Sequence, residues 1–307
     1  MNQEAPWGFV KLYGVEHSPW VQGVLLALTY HGIPTTLTSY PLSMRWWWTS
    51  GVVFPALQLE DGSIHPDSFQ IYELMEAHGV DLGLRQIEPK ERLRIQAELE
   101  HLFSVYALGR CIAGKRWRFI KAWSVMRDAP ATYHGAVCRS VLCNYFWLLI
   151  QIGIHVAGKR RATPYDLNQI EQLISAWDQK LRESRWLTGE EIGFVDFALW
   201  GHVQCMASGL TDELLPLLKR YPHLIDWVKR VSSLEMSKVS PYAQRLIDDD
   251  VEPQEVDLSL SVAFWGAWLI SIILWPLTLT FIIISLLRRH HNPAHSGAVA
   301  ARHRETS

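Results

Sequence analysis

The alternation of apolar and polar residues over the first eighty positions predicts strands and helices in the order β-α-β-β-β-α. FVKLYG alternates and ends in glycine, as a strand does. Next to it, Ser18 and Pro19 suit the cap and first position of a helix whose apolar residues recur at helical spacing. A β-branched strand, TTLTSY, precedes two short strands around the Asp61-Gly62 turn, and Asp67-Ser68 begins another helix.

After residue 83 the pattern becomes helical throughout. Apolar residues fall on one face of 87–109, and two more helices are predicted over 163–181 and 211–231. A helical crossover followed by a hairpin and a helix is the plan of a thioredoxin-like domain. We therefore predict an α/β thioredoxin-like domain over 1–83 and an all-helical domain over 84–247.

The segment 258–287 contains thirty residues without a charge, more than the roughly twenty that cross a bilayer. It predicts a transmembrane anchor between an acidic linker, 248–257, and a basic tail, 288–307. The N-terminus shows no signal peptide. We therefore expect a single-pass C-terminal anchor in a lipid bilayer, with the folded domain facing the cytosol.

Charge and cysteine content argue against nucleic-acid binding, a disulfide scaffold and a metal site. The 29 Lys and Arg residues against 31 Asp and Glu give a formal charge of −2, without the basic excess of a nucleic-acid-binding protein. The four cysteines form no CxxC pair and show no zinc-like spacing with histidine, so neither a disulfide scaffold nor a metal site is expected.

Four segments in order are informative as a set. They are YGVEHSPWVQGVLLALTYHGIP, VVFPALQLEDGSIHPDS, WLTGEEIGFVDFALWG and YPHLIDWVKRV. Together they resemble the cytosolic-type glutathione S-transferase family over roughly residues 9 to 235. The resemblance implies a thioredoxin-like domain followed by an all-helical one. It also implies glutathione as co-substrate, and conjugation or reduction of an apolar electrophile.

The resemblance further implies which residues form the site. Ser18 would donate to the glutathione sulfur, with His17 as a weaker alternative; Ser18 could also be only a helix cap. Phe54-Pro55, expected to be cis, would pair with the cysteinyl backbone, and Asp67-Ser68 would bind the γ-glutamyl end or merely cap a helix. Arg45 is a weaker candidate for the glycyl carboxylate.

One acidic residue of the resembling segments is assigned to folding. Asp196 follows Gly193 at capping-box spacing, where the family usually has serine or threonine at the glycine position. Ile192 and Phe197 could form the hydrophobic staple of the same helix.

Two functions remain open. The first is a membrane-anchored glutathione transferase. The second is a non-catalytic, membrane-tethered interaction protein, because the anchor and segments such as CRSVLCNYFWLLIQIGIHVAGKRR and LISAWDQKL resemble, more loosely, metaxins and failed-axon-connections proteins. A homodimer or a membrane-protein partner is compatible with either. The intact Phe54-Pro55 and Asp67-Ser68 favour glutathione binding.

Overall fold

The computed structural model describes residues 8–14, 18–38, 55–108, 166–207, 213–234 and 242–248, with single positions between 266 and 280. Within these ranges, no helix is long and apolar enough to cross a membrane. The predicted anchor, 258–287, lies outside the described residues except for those single positions.

Four short strands form one sheet in the order β2-β1-β3-β4. They are β1 (Val10–Tyr13), β2 (Thr35–Thr38), β3 (Ala56–Gln58) and β4 (Ile64–Pro66). β2 runs parallel to β1, whereas β3 pairs antiparallel with both β1 and β4. The parallel pair requires a crossover, which helix α1 (Pro19–Tyr30) supplies. This sheet confirms the predicted thioredoxin-like order.

The helices that follow form the second unit, apart from α2, which completes the first. They are α2 (Ser68–Ala77), α3 (Pro89–Phe103), α4 (Leu167–Glu183), α5 (Phe194–Ala207), α6 (Leu214–Leu218) and α7 (Pro222–Ser232). The single helix predicted over 211–231 is wrong, because Pro222 begins a new helix. Proline lacks the N–H that would continue the helix before it and suits a first helical position.

The two units meet where α1 crosses α5, and glycine sets the distance between the helices. A Cβ atom on Gly201 would lie 1.8 Å from the carbonyl oxygen of Pro19. A Cβ atom on Gly23 would lie 2.7 Å from the carbonyl oxygen of Phe197. The two backbones are therefore in direct contact, and α5, buried along its whole length, fixes the position of α1.

Asp196, near the start of α5, holds the second unit together as predicted. One carboxylate oxygen accepts from the backbone of Leu187 at 2.9 Å and from the indole N–H of Trp227 at 2.9 Å. The other accepts from the backbone and hydroxyl of Thr188 and from the Gly193 amide. Five donors thus converge on one buried carboxylate.

Glycine replaces the usual hydroxyl residue of that capping box because there is no room for a side chain. A Cβ atom on Gly193 would lie 2.6 Å from the carbonyl oxygen of Leu82 and 2.5 Å from the methyl group of Thr188. Leu82 belongs to the connection between the two units, and its carbonyl accepts from the Phe194 amide at 2.9 Å. The start of α5 is therefore tied to the end of the sheet unit.

Candidate functional site

The sheet register brings three of the predicted site segments to one end of the sheet. Tyr13, the last residue of β1, pairs with Ala56, the first residue of β3, and Ala56 pairs with Pro66, the last residue of β4. At this end of the sheet, the chain therefore leaves β1 toward Ser18, enters β3 from Pro55 and leaves β4 toward Asp67.

Asp67 joins two of these segments in a strained conformation. Its amide donates to the carbonyl oxygen of Pro55 at 2.9 Å. Its φ of 79° makes it the only non-glycine residue with positive φ in the described part of the chain. Such strain persists only where surrounding contacts enforce it, and it is common at ligand sites.

The predicted capping role of Asp67 is confirmed. One of its carboxylate oxygens accepts from the amides of Phe69 at 2.9 Å and Gln70 at 3.4 Å. Asp67 thereby satisfies two of the amides that the first turn of α2 leaves without a helical partner.

The amide and the hydroxyl of Ser68 are two donors that do not bond to the Asp67 carboxylate. Ser68 is the first residue of α2 and is 5% exposed. No group in the described ranges accepts from its amide or its hydroxyl. Two donors at a helix N-terminus, beside a capped first turn, form an arrangement that suits a carboxylate.

The Ser18 hydroxyl does not cap α1, so that part of the prediction is wrong. Ser18 occupies the cap position, and its carbonyl accepts from the Gln22 amide at 3.0 Å. Its side chain makes no capping hydrogen bond, and the first helical residue is Pro19, which has no N–H to donate. The half-buried hydroxyl therefore remains available at the positive end of α1.

Aromatic side chains that were not predicted as site residues bring the two helix starts together. Trp20 follows Ser18 by two positions, and its ring lies 5.8 Å from that of Phe69, the neighbour of Ser68. Phe103, from the end of α3, lies 6.1 Å from Trp20. The N-termini of α1 and α2 therefore converge beside a half-buried aromatic surface formed by Trp20, Phe69 and Phe103.

A buried imidazole lies directly behind Trp20. The His202 ring, on α5, is 4.7 Å from the Trp20 ring, and its Nδ1 is 3.3 Å from the Tyr106 hydroxyl. Burial lowers the pKa of His202 to about 3, so the imidazole is neutral. The signal in the sequence is a histidine within the otherwise largely apolar FVDFALWGHVQCMA.

Three other predicted site residues, His17, Arg45 and Phe54, lie outside the described residues. The expected cis bond involves Phe54 and is untested for the same reason. Within the described ranges, no three histidine, cysteine or acidic side chains are grouped as a metal site would require.

The match to a known protein family lies in the helical unit. Residues 160–230 match the family described as glutathione S-transferase, C-terminal domain. No curated protein matches the chain.

Solved structures with a similar chain are glutathione transferases from several organisms. Glutathione transferase F2 of Populus trichocarpa is 18% identical over 78% of this chain and 97% of its own, with a TM-score of 0.43. An epsilon-class enzyme of the housefly Musca domestica is 17% identical over 78% and 95%, with a TM-score of 0.47. A homologue from Drosophila mojavensis with bound glutathione is 18% identical over 78% and 94%, with a TM-score of 0.47.

The fold defines a class: a thioredoxin-like sheet unit followed by a helical unit that packs on its first helix. Within that class, residues 160–230 of the second unit are similar to the C-terminal domain of glutathione S-transferases.

Proposed function

We propose that this protein is a membrane-anchored, glutathione transferase-like protein that binds glutathione where α1 and α2 begin. The observation that carries the proposal is the pair of donors that Ser68 leaves without a partner at the start of α2. The γ-glutamyl carboxylate would accept from both. Asp67, strained beside Pro55, holds these donors in place, and the second oxygen of its carboxylate can accept from the glutamyl ammonium.

Ser18 would act on the sulfur of the bound tripeptide. Its hydroxyl is not used in capping and lies at the positive end of α1, so it can donate to a thiolate and favour loss of the thiol proton. The thiolate would then attack the electrophile, form the carbon–sulfur bond and expel the leaving group with its electron pair. No protein nucleophile is required.

The aromatic surface of Trp20, Phe69 and Phe103 supports an apolar electrophile as the second substrate. All three rings are half-buried and adjoin the proposed glutathione site. An apolar molecule on this surface would lie close to the thiolate without needing polar partners.

The described positions of 258–287 support the membrane anchor. They include five large apolar side chains that are between 43% and 70% exposed. These are Leu269, Ile270, Ile272, Ile273 and Leu274. Large apolar side chains that are exposed together require an apolar environment, and lipid supplies one. We propose one span, with the folded domain on the cytosolic side.

Glutathione binding tests the site. Calorimetric titration at neutral pH should give saturable binding to the wild-type protein, and Ser68→Ala should weaken it by about 1–2 kcal/mol, the value of a hydrogen bond to a charged group. Ser18→Ala should weaken the binding of glutathione but leave that of S-methylglutathione unchanged, because only the free thiol can become a thiolate.

The matched control for this titration is Ser63→Ala. Ser63 precedes β4, at the opposite end of that strand from Ser68, and should not affect binding. If millimolar glutathione does not bind to the wild-type protein, the transferase proposal is wrong. The metaxin-like alternative, a tethered interaction protein without glutathione chemistry, would then be favoured.

Membrane extraction tests the anchor. The full chain should remain with membranes after alkaline carbonate washing, because about twenty buried apolar residues insert stably. A chain ending at residue 256 should appear in the supernatant. Release of the full chain by carbonate would contradict a transmembrane anchor and indicate peripheral attachment.

A further inference from the structure

The contact between α1 and α5 contains a histidine at each end, the half-buried His31 and the fully buried His202. His31, which caps the C-terminus of α1, lies 6.0 Å from Phe197 in the first turn of α5. His202, in the second half of α5, lies 4.7 Å from Trp20 in the first turn of α1. Between them, Gly23 and Gly201 leave no space for rearrangement of the backbones.

Both imidazoles have one nitrogen without a hydrogen-bond partner. The Nε2 atoms of His31 and His202 are buried, and no described group bonds to either. In His202 this holds whichever nitrogen carries the proton, because the Tyr106 hydroxyl contacts only Nδ1. A second proton on His202 would therefore place a positive charge in the interior and leave its Nε2–H without an acceptor.

We propose that His31 and His202 form an acid-sensitive clasp, which holds the sheet unit against the helical unit while both imidazoles are neutral and releases α1 when they are protonated. Protonated imidazoles are more stable in water than in this contact, so the free energy of protonation would be gained by opening it. Opening would also displace Ser18, which immediately precedes α1, and thus couple the proposed glutathione site to pH.

The groups around the histidines do not stabilise a positive charge on His202. The titratable neighbours of His202 are Tyr106 and Cys205, and the Cys205 thiol forms a hydrogen bond with Tyr106. The side chains that face His202 from α1 and α3, Trp20 and Phe103, are neutral. Burial raises the pKa of Tyr106 and of Cys205, so both stay uncharged.

His31 has an acidic neighbour, and the charged groups at the two ends of α5 have partners of their own. Asp81 raises the pKa of His31, but burial lowers it by more. Asp196 accepts from five donors at the start of α5, and Arg245 donates to the Ala207 carbonyl at its end.

The direction of the pH effect follows from His202. Its pKa is about 3 in the fold, against about 6.5 in an unfolded chain, so above pH 6.5 both states are neutral and pH has no effect. As the pH falls below 6.5, only the unfolded state takes up the proton, and stability is lost. At pH 5.0 this favours unfolding by about 30-fold relative to pH 7.5, and His31 adds to it.

Urea unfolding of the full-length protein in nonionic detergent, followed by tryptophan fluorescence at pH 7.5 and 5.0, tests the clasp. The unfolding equilibrium constant of the wild type should rise by about 30-fold or more at pH 5.0. His202→Gln should remove most of this rise. The control His101→Gln, on the exposed side of α3, should keep it. An equal rise in His202→Gln and wild type would overturn the proposal.

If His202→Gln does not fold, hydrogen–deuterium exchange of the wild type tests the clasp instead. After correction for the intrinsic exchange rate, peptides of α1 and α5 should lose protection together at pH 5.0, ahead of β3 and β4. Unchanged protection of α1 and α5 would contradict the clasp. Neither measurement contains glutathione, so their outcome is independent of whether the proposed binding site is correct.

Discussion

Gly201→Ala is expected to destabilise the folded part of the protein by about 3 kcal/mol or more, the upper part of the range for overpacked sites. The added Cβ atom would lie 1.8 Å from the Pro19 carbonyl oxygen and 2.9 Å from the Gly23 amide nitrogen. Both obstacles are backbone atoms, so relief requires α1 and α5 to separate. Alanine is a better helix former than glycine by about 1 kcal/mol, and a loss of stability would therefore reflect the crossing alone.

Urea unfolding with Gly266→Ala as the control measures this effect. The added Cβ at Gly266, which belongs to the proposed anchor, meets no described atom within 4 Å, so the same chemical change there should leave the unfolding midpoint unaltered. Because Ser18 immediately precedes α1, any Gly201→Ala protein that still folds should also bind glutathione less tightly. A midpoint equal to that of wild type would show that the helices can separate freely, contrary to the backbone contact described above.

The sheet unit could be predicted because its signals are local. Alternation identifies strands, and a β-branched segment after a crossover helix suggests a parallel partner. The cap at Asp67 was predictable for the same reason, since its carboxylate bonds to amides two and three residues ahead. At Ser18 the same reasoning failed, because the residue type suggests a cap but does not determine which way the hydroxyl points.

The contact between the units could not be predicted from such local signals. Glycine is an unfavourable residue inside a helix. The presence of Gly23 and Gly201 is explained only by the contact between their helices, which brings together residues 178 positions apart in the sequence. The aromatic surface likewise combines Trp20, Phe69 and Phe103 from three helices. His202 was visible in sequence as a polar residue in an apolar helix, but its partner Tyr106 is 96 positions away. Long-range packing, rather than periodicity, determines these parts of the site.

Asp196→Ala is expected to reduce the free energy of unfolding by about 3–5 kcal/mol, as is typical when one partner of a buried charged network is removed. The substitution leaves the amides of Leu187 and Gly193 and the indole N–H of Trp227 without their acceptor. Each buried donor left unsatisfied costs about 1–3 kcal/mol before local rearrangement. Water can relieve only part of this, because Asp196 is 0% exposed.

Asp226→Ala provides the matched control, since it removes the same carboxylate from the surface of α7. Asp226 is 58% exposed, and the ion pair it makes in the described part of the chain, with Lys229 at 3.1 Å, is worth at most about 1 kcal/mol. Urea unfolding followed by tryptophan fluorescence should show a large shift for Asp196→Ala and almost none for Asp226→Ala. Equal shifts would mean that the five-donor network adds nothing to stability. In that case the loop from Leu187 to Gly193 would have to be held by packing alone.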